Sequence, residues 1–290
     1  MNKRKENPTR IAGAEATQKK GWFKAHRWLL LRRLSQLSIL SLFLLGPWFG
    51  MWIVKGNIAA SLTLDVLPLN DPYILLQSFA AGFIPTTMAL LGAAIVLIFY
   101  SLVGGRVYCS WVCPMNIVTD TAGWLRQRLN LTSLVGWTLS KQTRYWLLVA
   151  TLLLAALTGT LVWEIVNPVT LLYRGLLYGM GFGWFVIIAI FLFDLLISKN
   201  GWCGHLCPMG AFYSLPALIS PLRITADKRE KCNNCLDCFI VCPEKQVIYN
   251  PLKGTDKGFS PVITSANCTN CGRCIDVCSE DVFHFTIKSP

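Results

Sequence analysis

Residues 232–242 read CNNCLDCFIVC, with Pro243 next, and residues 268–278 read CTNCGRCIDVC. Both stretches are C-x2-C-x2-C-x3-C. Three thiolates two residues apart fit one tight loop and cap three irons of a cubane. The fourth cysteine, expected to begin a helix leading away, then serves the neighbouring cluster. The spacing predicts Cys232, Cys235, Cys238 and Cys278 around one [4Fe-4S] cluster, and Cys268, Cys271, Cys274 and Cys242 around a second. Zinc knuckles are the competing reading, but zinc asks for four ligands per ion and not for this doubled spacing. Ser279 stands where the pattern often has proline, which loosens one wall without removing a ligand. Two clusters in so small a domain pass single electrons and do no bond chemistry. His284 reads as a surface residue, because eight cysteines already complete both clusters. These features define a small C-terminal α+β ferredoxin domain of the bacterial 2[4Fe-4S] type over residues 223–290.

Upstream, the chain changes character. Of its 290 residues only 14% are charged, against about 25% in ordinary soluble domains, and the mean hydropathy is +0.47. Four runs carry no charge: 34–54, 72–105, 145–163 and 175–193. Each is near or above the roughly 18 residues at which a transmembrane helix becomes the default reading. Pro47 and Pro85 are tolerable there because neighbouring groups re-satisfy the freed carbonyls. The expected fold is a mainly α membrane protein of four transmembrane helices with the ferredoxin domain appended.

The net charge of +12 does not point to nucleic acid, because of where it sits. Residues 1–33 hold ten Lys and Arg against Glu6 and Glu15, and the connection between the second and third runs holds five more. The other two connections hold Lys55 and Arg174, one each. Basic residues collect on the cytoplasmic side. The expected protein is therefore a multi-pass component of the bacterial inner membrane with both termini cytoplasmic. Residues 1–33 read as a flexible basic arm touching lipid headgroups, 34–222 as the membrane domain. In the reducing cytoplasm, patterned cysteines mean metal or catalysis more often than disulfides.

The membrane domain repeats itself. CSWVCPM begins at Cys109 and CGHLCPM at Cys203, an offset of 94 residues. NDPYILL, with Asp71 and Pro72, matches VNPVTLL, with Asn167 and Pro168, at an offset of 96. Each half is expected to be two spans, an outer loop carrying Asp/Asn-Pro near a helix start, and a Cys-x3-Cys-Pro box at the inner exit. Both halves run the same way, so they form two parallel two-helix repeats about an axis along the membrane normal. Cys113 and Cys207 each precede a proline that suits a first helical position, and a thiol at a helix N-terminus is expected to have a lowered pKa. Brought together, Cys109, Cys113, Cys203 and Cys207 make a four-thiol group. Three readings stay open for it: a further metal or iron–sulfur centre, redox-active thiols, or packing against the ferredoxin domain.

No histidine lies within a run, and no C-x-x-C-H is present, so neither a bis-histidine haem b site nor haem attachment is expected. Asp194 lies at the inner end of the fourth run and Glu164 at an outer boundary. Intramembrane carboxylates are costly and default to functional candidates. A quinol site needs a base for the hydroxyl proton, which makes Asp194, Glu164, Asp71 and Asn167 its candidate groups.

The stretches GWFKAHRWLLLRRL, GPWFGMW, CSWVCP, GTLVWEIVNPV, FLFDLL, GWCGHLCP and CSEDVF together resemble the NapH family, a branch of the polyferredoxin membrane proteins. The likeness covers nearly the whole chain. It implies a quinol dehydrogenase component that oxidises membrane quinol and passes electrons toward a periplasmic nitrate reductase through a separate periplasmic iron–sulfur subunit. The alternative is a maturation factor that delivers metal or reducing equivalents to a partner redox enzyme.

Overall fold

The structure, a computed structural model, describes residues 12–129, 131, 140–179 and 181–287. Residues 1–11 of the expected basic arm lie outside the described residues. The arm's remainder departs from the sequence reading. Helix α1 (Ala14–Lys20) lies on the ferredoxin domain, where the Gly13 amide donates to Asp237 (3.0 Å), Lys19 pairs with Glu280 and Lys20 with Asp281. These ferredoxin acids hold the basic turn on the domain surface. After the short α2 (Trp22–Ala25), helix α3 spans Arg27–Phe49, so the arm's last basic residues already belong to the first apolar helix. At 23 residues, α3 is long and apolar enough to cross a bilayer. It ends at Gly50, whose left-handed φ of 74° lets its amide close on Gly46 O.

Next comes a sheet the sequence reading did not anticipate. Strands β1 (Val54–Gly56), β2 (Ala60–Thr63) and β3 (Leu67–Asn70) pair antiparallel, with Val54 opposite Thr63 and Ser61 opposite Leu69. Strand β3 lies against α5 (Thr87–Val103) at Gly92, where a Cβ would stand 3.0 Å from Pro68 O. Between them is α4 (Pro72–Ala80), so the second uncharged run is two helices, not one. Asp71 caps α4 by accepting from the Tyr73 amide, and Thr86 caps α5. Box 1 then forms a π-helical turn closed by Cys113 N–H to Tyr108 O, and α6 (Met115–Arg128) follows.

The second half retraces this path. Helix α7 (Thr143–Thr158) leads to α8 (Val162–Val166), then Asn167 caps α9 (Pro168–Tyr178). Helix α10 (Gly183–Leu192) continues as a π-helical turn to Ile197, and box 2 closes its own π turn by Cys207 N–H to Trp202 O. The box ends in α11 (Pro208–Phe212). Helices α5, α7 and the continuous stretch from α10 to Ile197 are apolar but shorter than α3.

The Asp/Asn-Pro steps, expected in outer loops, lie beside the boxes. Tyr213, just past box 2, donates its hydroxyl to Asp71 (3.3 Å), and Val169, just past Asn167, packs with Met115 and Cys113 of box 1. Each half therefore turns beside the boxes, leaves as a short capped helix and returns as a longer apolar one. A proline at the first helical position and a side-chain cap are sequence-legible; the depth at which they sit is not.

Strands β4 (Leu222–Thr225) and β5 (His284–Ile287) pair antiparallel and close the ferredoxin domain. Its core is Ile224, Val247, Ile248, Leu252, Ile263 and Phe283, with helices α12 (Asp237–Val241), α13 (Gln246–Lys253) and α14 (Arg273–Asp276) around it. Helix α12 carries the third cysteine and ends at the fourth, rather than beginning there.

Candidate electron-transfer site

The two cysteine loops follow one backbone path. Asn234 and Leu236 in the first and Asn270 and Gly272 in the second all have positive φ, at matching positions between the cysteines. Such turns gather successive backbone amides on the concave side of a loop. Gly272 is required twice over, since its φ is 72° and a Cβ would meet Trp28 Cγ at 2.6 Å.

The loops enclose two small cavities. One is walled by Cys232, Cys235, Cys238 and Cys278, the other by Cys242, Cys268, Cys271 and Cys274. The cavities so place Cys278 with the first loop and Cys242 with the second. Among the described residues, no three or more of His, Cys, Asp and Glu converge on one point as ligands of a single ion do. Thiols spread around a cavity fit a cubane, which offers four separate irons. Burial pushes Cys238 up to about 12, whereas at Cys271 the neighbouring Arg273 and Arg32 overcome burial and hold the thiol below its ordinary value. His284 is half exposed and pairs with Asp227 at 3.1 Å, outside both cavities.

The ferredoxin domain is fastened to the boxes. Ser110 Oγ donates to Thr269 O (2.8 Å) and Trp111 Nε1 to Asn270 O (3.1 Å), so box 1 grips the second cysteine loop directly. Glu244, 1% exposed, accepts from Arg106 (2.6 Å) and Arg144 (2.8 Å) and pairs with Lys141. Burial alone raises its carboxyl pKa, but the three cations outweigh burial and hold it well below the usual range. On the other flank Asp120 takes Arg273 (2.7 Å) and Arg33, with Arg32 at 3.9 Å. Sequence reading missed Arg106, Glu244 and Asp120. The signal for Arg106 was its place three residues before box 1; for the acids there was none.

The box thiols sit together. Cys109, Cys113 and Cys207 pack on one buried cluster with Tyr108 and Tyr213, and Cys203 stands beside them, its carbonyl accepting from Arg106. The expected lowering of their pKa does not occur. Burial pushes Cys207 up to about 12 and Cys113 higher still, and the amides of the following helices only soften that rise. As free thiols they are protonated and poorly nucleophilic.

Between α3, α5 and the sheet lies an apolar cavity of about 1000 Å³, at the upper end of the range for ligand pockets. Its lining includes a cluster of Asp71, Tyr100, Tyr108 and Tyr213, with Tyr213 bonded to Asp71 and stacked on Tyr108 at 4.7 Å. Asn270, between Cys268 and Cys271, lines the same cavity. Of the four candidate quinol groups only Asp71 reaches it. Glu164 accepts from Asn167 (3.2 Å), and neither lines the cavity. Asp194 is fully buried and accepts from the Trp202 amide (2.9 Å), which holds the start of box 2.

The comparisons agree with this arrangement. Residues 86–132 and 177–224, each holding one box, match a family described as a 4Fe-4S binding domain, and 231–282 match a 4Fe-4S dicluster domain. The ferredoxin-type protein NapH of Escherichia coli is 51% identical over 97% of both chains. The methylamine utilization ferredoxin-type protein MauN of Methylorubrum extorquens is also 51% identical, over 96% of this chain and 95% of its own. MauN of Paracoccus denitrificans is 53% identical over 87% of this chain and 88% of its own. The chain belongs to the NapH/MauN family of ferredoxin-type proteins. No solved structure matches it. As a family member it is a membrane-associated iron–sulfur electron-transfer protein that works with redox partners. Its C-terminal part is the ferredoxin domain that the sequence predicts.

Proposed function

We propose that this chain is the quinol-oxidising, electron-transferring subunit of a membrane redox chain. The observation that carries the reading is the apolar cavity whose lining includes a carboxylate, three tyrosines and a residue of the second cysteine loop. Quinol oxidation releases two electrons and two protons. Asp71 takes a hydroxyl proton, helped by Tyr213, which already hydrogen-bonds it. The apolar remainder of the cavity holds the isoprenoid-bearing ring and excludes water. The two clusters, when bound, accept electrons one at a time, and the eight cysteines hold them in the two crossed sets.

Four apolar helices, α3, α5, α7 and α10 with its extension, are read as the spans, with both termini cytoplasmic. The double match of one family supports two parallel repeats within 34–222, between the 1–33 segment and the 223–290 ferredoxin domain. The same match supports one more iron–sulfur centre on Cys109, Cys113, Cys203 and Cys207. Electrons then pass to a periplasmic iron–sulfur subunit and on to periplasmic nitrate reductase. The likeness at equal identity to a methylamine utilization protein means that nitrate reductase is not the one redox system the sequence fits, and in a second reading the relay delivers metal or reducing equivalents for the maturation of a partner redox enzyme.

Anaerobic membranes containing the partner subunits are given quinol while cluster absorbance and EPR are followed. Reduction is expected. Clusters that stay oxidised with quinol, yet reduce with dithionite, sink the quinol reading. Serine at all four box cysteines leaves a partner complete but unreduced in the first reading, and made but metal-free in the second. About eight irons per chain mean two [4Fe-4S] clusters only, and about twelve mean that the boxes hold a third.

A further inference from the structure

The charges around the two cysteine sets differ in kind. The cavity of Cys242, Cys268, Cys271 and Cys274 is shared by Arg273, which donates to both oxygens of Asp120 (2.7 and 2.8 Å). Arg32, 1% exposed, lies 3.9 Å from the same carboxylate, and Arg33 pairs with it too. Three guanidiniums thus face one carboxylate, and Glu244, which also lines this cavity, is paired by Arg106, Arg144 and Lys141, so cations outnumber carboxylates at both acids. Arg273 Nε and Arg32 Nε are buried with no hydrogen-bond partner, which leaves two N–H donors near this cysteine set. The cavity of Cys232, Cys235, Cys238 and Cys278 has no arginine on its wall, which carries Lys253 and Glu280, the latter paired by Lys19. Each set also has a buried carboxylate close by in the chain, Asp237 beside Cys238 and Asp276 two residues after Cys274, so the arginines are what distinguish the two.

Reducing a cluster adds one negative charge to its site. Fixed cations and N–H donors to sulfur favour the reduced form, while burial opposes it. A unit charge within about 8 Å at an effective dielectric near 20 shifts the reduced-to-oxidised ratio more than about tenfold. A surplus of two guanidiniums therefore outweighs the deeper burial of this set. We propose that Arg32 and Arg273, anchored by Asp120, give the cluster held by Cys242, Cys268, Cys271 and Cys274 the higher reduction potential. It is then the first acceptor, and it is also the set whose loop borders the large cavity through Asn270. The inference rests on the eight cysteines being the ligands of two clusters.

The full chain in detergent, kept anaerobic, is titrated with dithionite while EPR follows each cluster. The ferredoxin domain is expected to contribute two midpoints, separated by at least about a tenfold ratio, which is about 59 mV for one electron. Cys271→Ala removes the higher one and Cys235→Ala the lower. Arg32→Gln lowers the higher midpoint by about tenfold in ratio and leaves the other in place, and Arg32→Lys restores it. Coincident midpoints, or loss of the lower one in Cys271→Ala, overturn the proposal. Should Arg32→Gln fail to assemble, the wild-type and cysteine-variant titrations still fix the order. A chain without iron sinks the ligand reading, whereas two clusters of equal or reversed potential sink this inference alone.

Discussion

The two halves of the membrane unit follow the same path and differ where it turns. In each, a short helix starts at a capped Pro step beside the boxes, and a longer apolar helix returns to a π-helical Cys-x3-Cys turn. The first half caps with Asp71 and borders an open cavity of about 1000 Å³. The second caps with Asn167, and its flank is filled by Val169, Ile187, Ile190 and Met115. Aspartate and asparagine cap a helix about equally well, so the fold did not require the acid. Duplication supplies the geometry in both halves; the first half adds a proton acceptor and room for a ligand.

The sharpest way to break that comparison is Asp71→Asn, which makes the first turn resemble the second. The cap survives, so the helix stays, but the proton acceptor is gone. The quinol-driven rate of cluster reduction is expected to fall by about 10²–10⁴-fold, the contribution of a positioned base, while dithionite reduces the clusters as before. An unchanged quinol rate places the base outside this turn.

Glu244→Gln acts on the junction instead. Arg106, just past α5, and Arg144, at the start of α7, both end on this one buried carboxylate of the ferredoxin domain. Removing its charge leaves buried guanidiniums uncompensated, at a cost of about 3–5 kcal/mol. Thermal unfolding in detergent, or proteolysis of the ferredoxin domain, reads the loss. A change well below that range means that the Asp120 cluster and the box 1 hydrogen bonds hold the domain alone.

The cysteine loops were legible because iron–sulfur ligation fixes spacing within eleven residues, a local property. The repeat was legible because Pro steps and boxes recur in register. What could not be read was depth. Asp71 and Asn167 look like loop residues in one dimension, since Asp-Pro and Asn-Pro favour turns, and only the meeting of Asp71 with Tyr213, 142 residues on, shows that the turn lies beside the boxes. Likewise the expected low thiol pKa followed from local helix starts, and tertiary burial reversed it. The pairs of Asp120 and Glu244 join residues 87 or more positions apart for every partner except the short Glu244–Gln246 step. No short-range pattern encodes such pairs.

Asn167→Asp gives the second turn the acid that it lacks. Its amide now donates to Glu164 (3.2 Å), and a carboxylate there would instead face another carboxylate. The variant is expected to lose about 1–3 kcal/mol of stability and to gain no quinol activity, because the lining of the large cavity does not include this position. A second quinol-reducible site in this variant would show that the acid alone makes the first turn functional.

The smallest effect belongs to Tyr173→Phe. Tyr173 matches Gln77 of the first half at the 96-residue offset, and the two do different work. Gln77 donates to Tyr73 Oη (3.1 Å) within its own helix, whereas Tyr173 donates to Phe43 O (3.3 Å) and Gly56 O (3.1 Å), tying α9 to α3 and to the sheet. Losing these neutral, partly buried bonds is expected to cost about 0.5–1.5 kcal/mol and to leave the quinol rate unchanged. The second half would then act as a clamp on the scaffold around the cavity, not as part of its chemistry. A clear drop in rate without loss of stability would mean that the sheet, which lines the cavity through Val54, Ser61 and Leu67, must be held in register for quinol to bind. In that case the silent half governs the working one through a single hydroxyl.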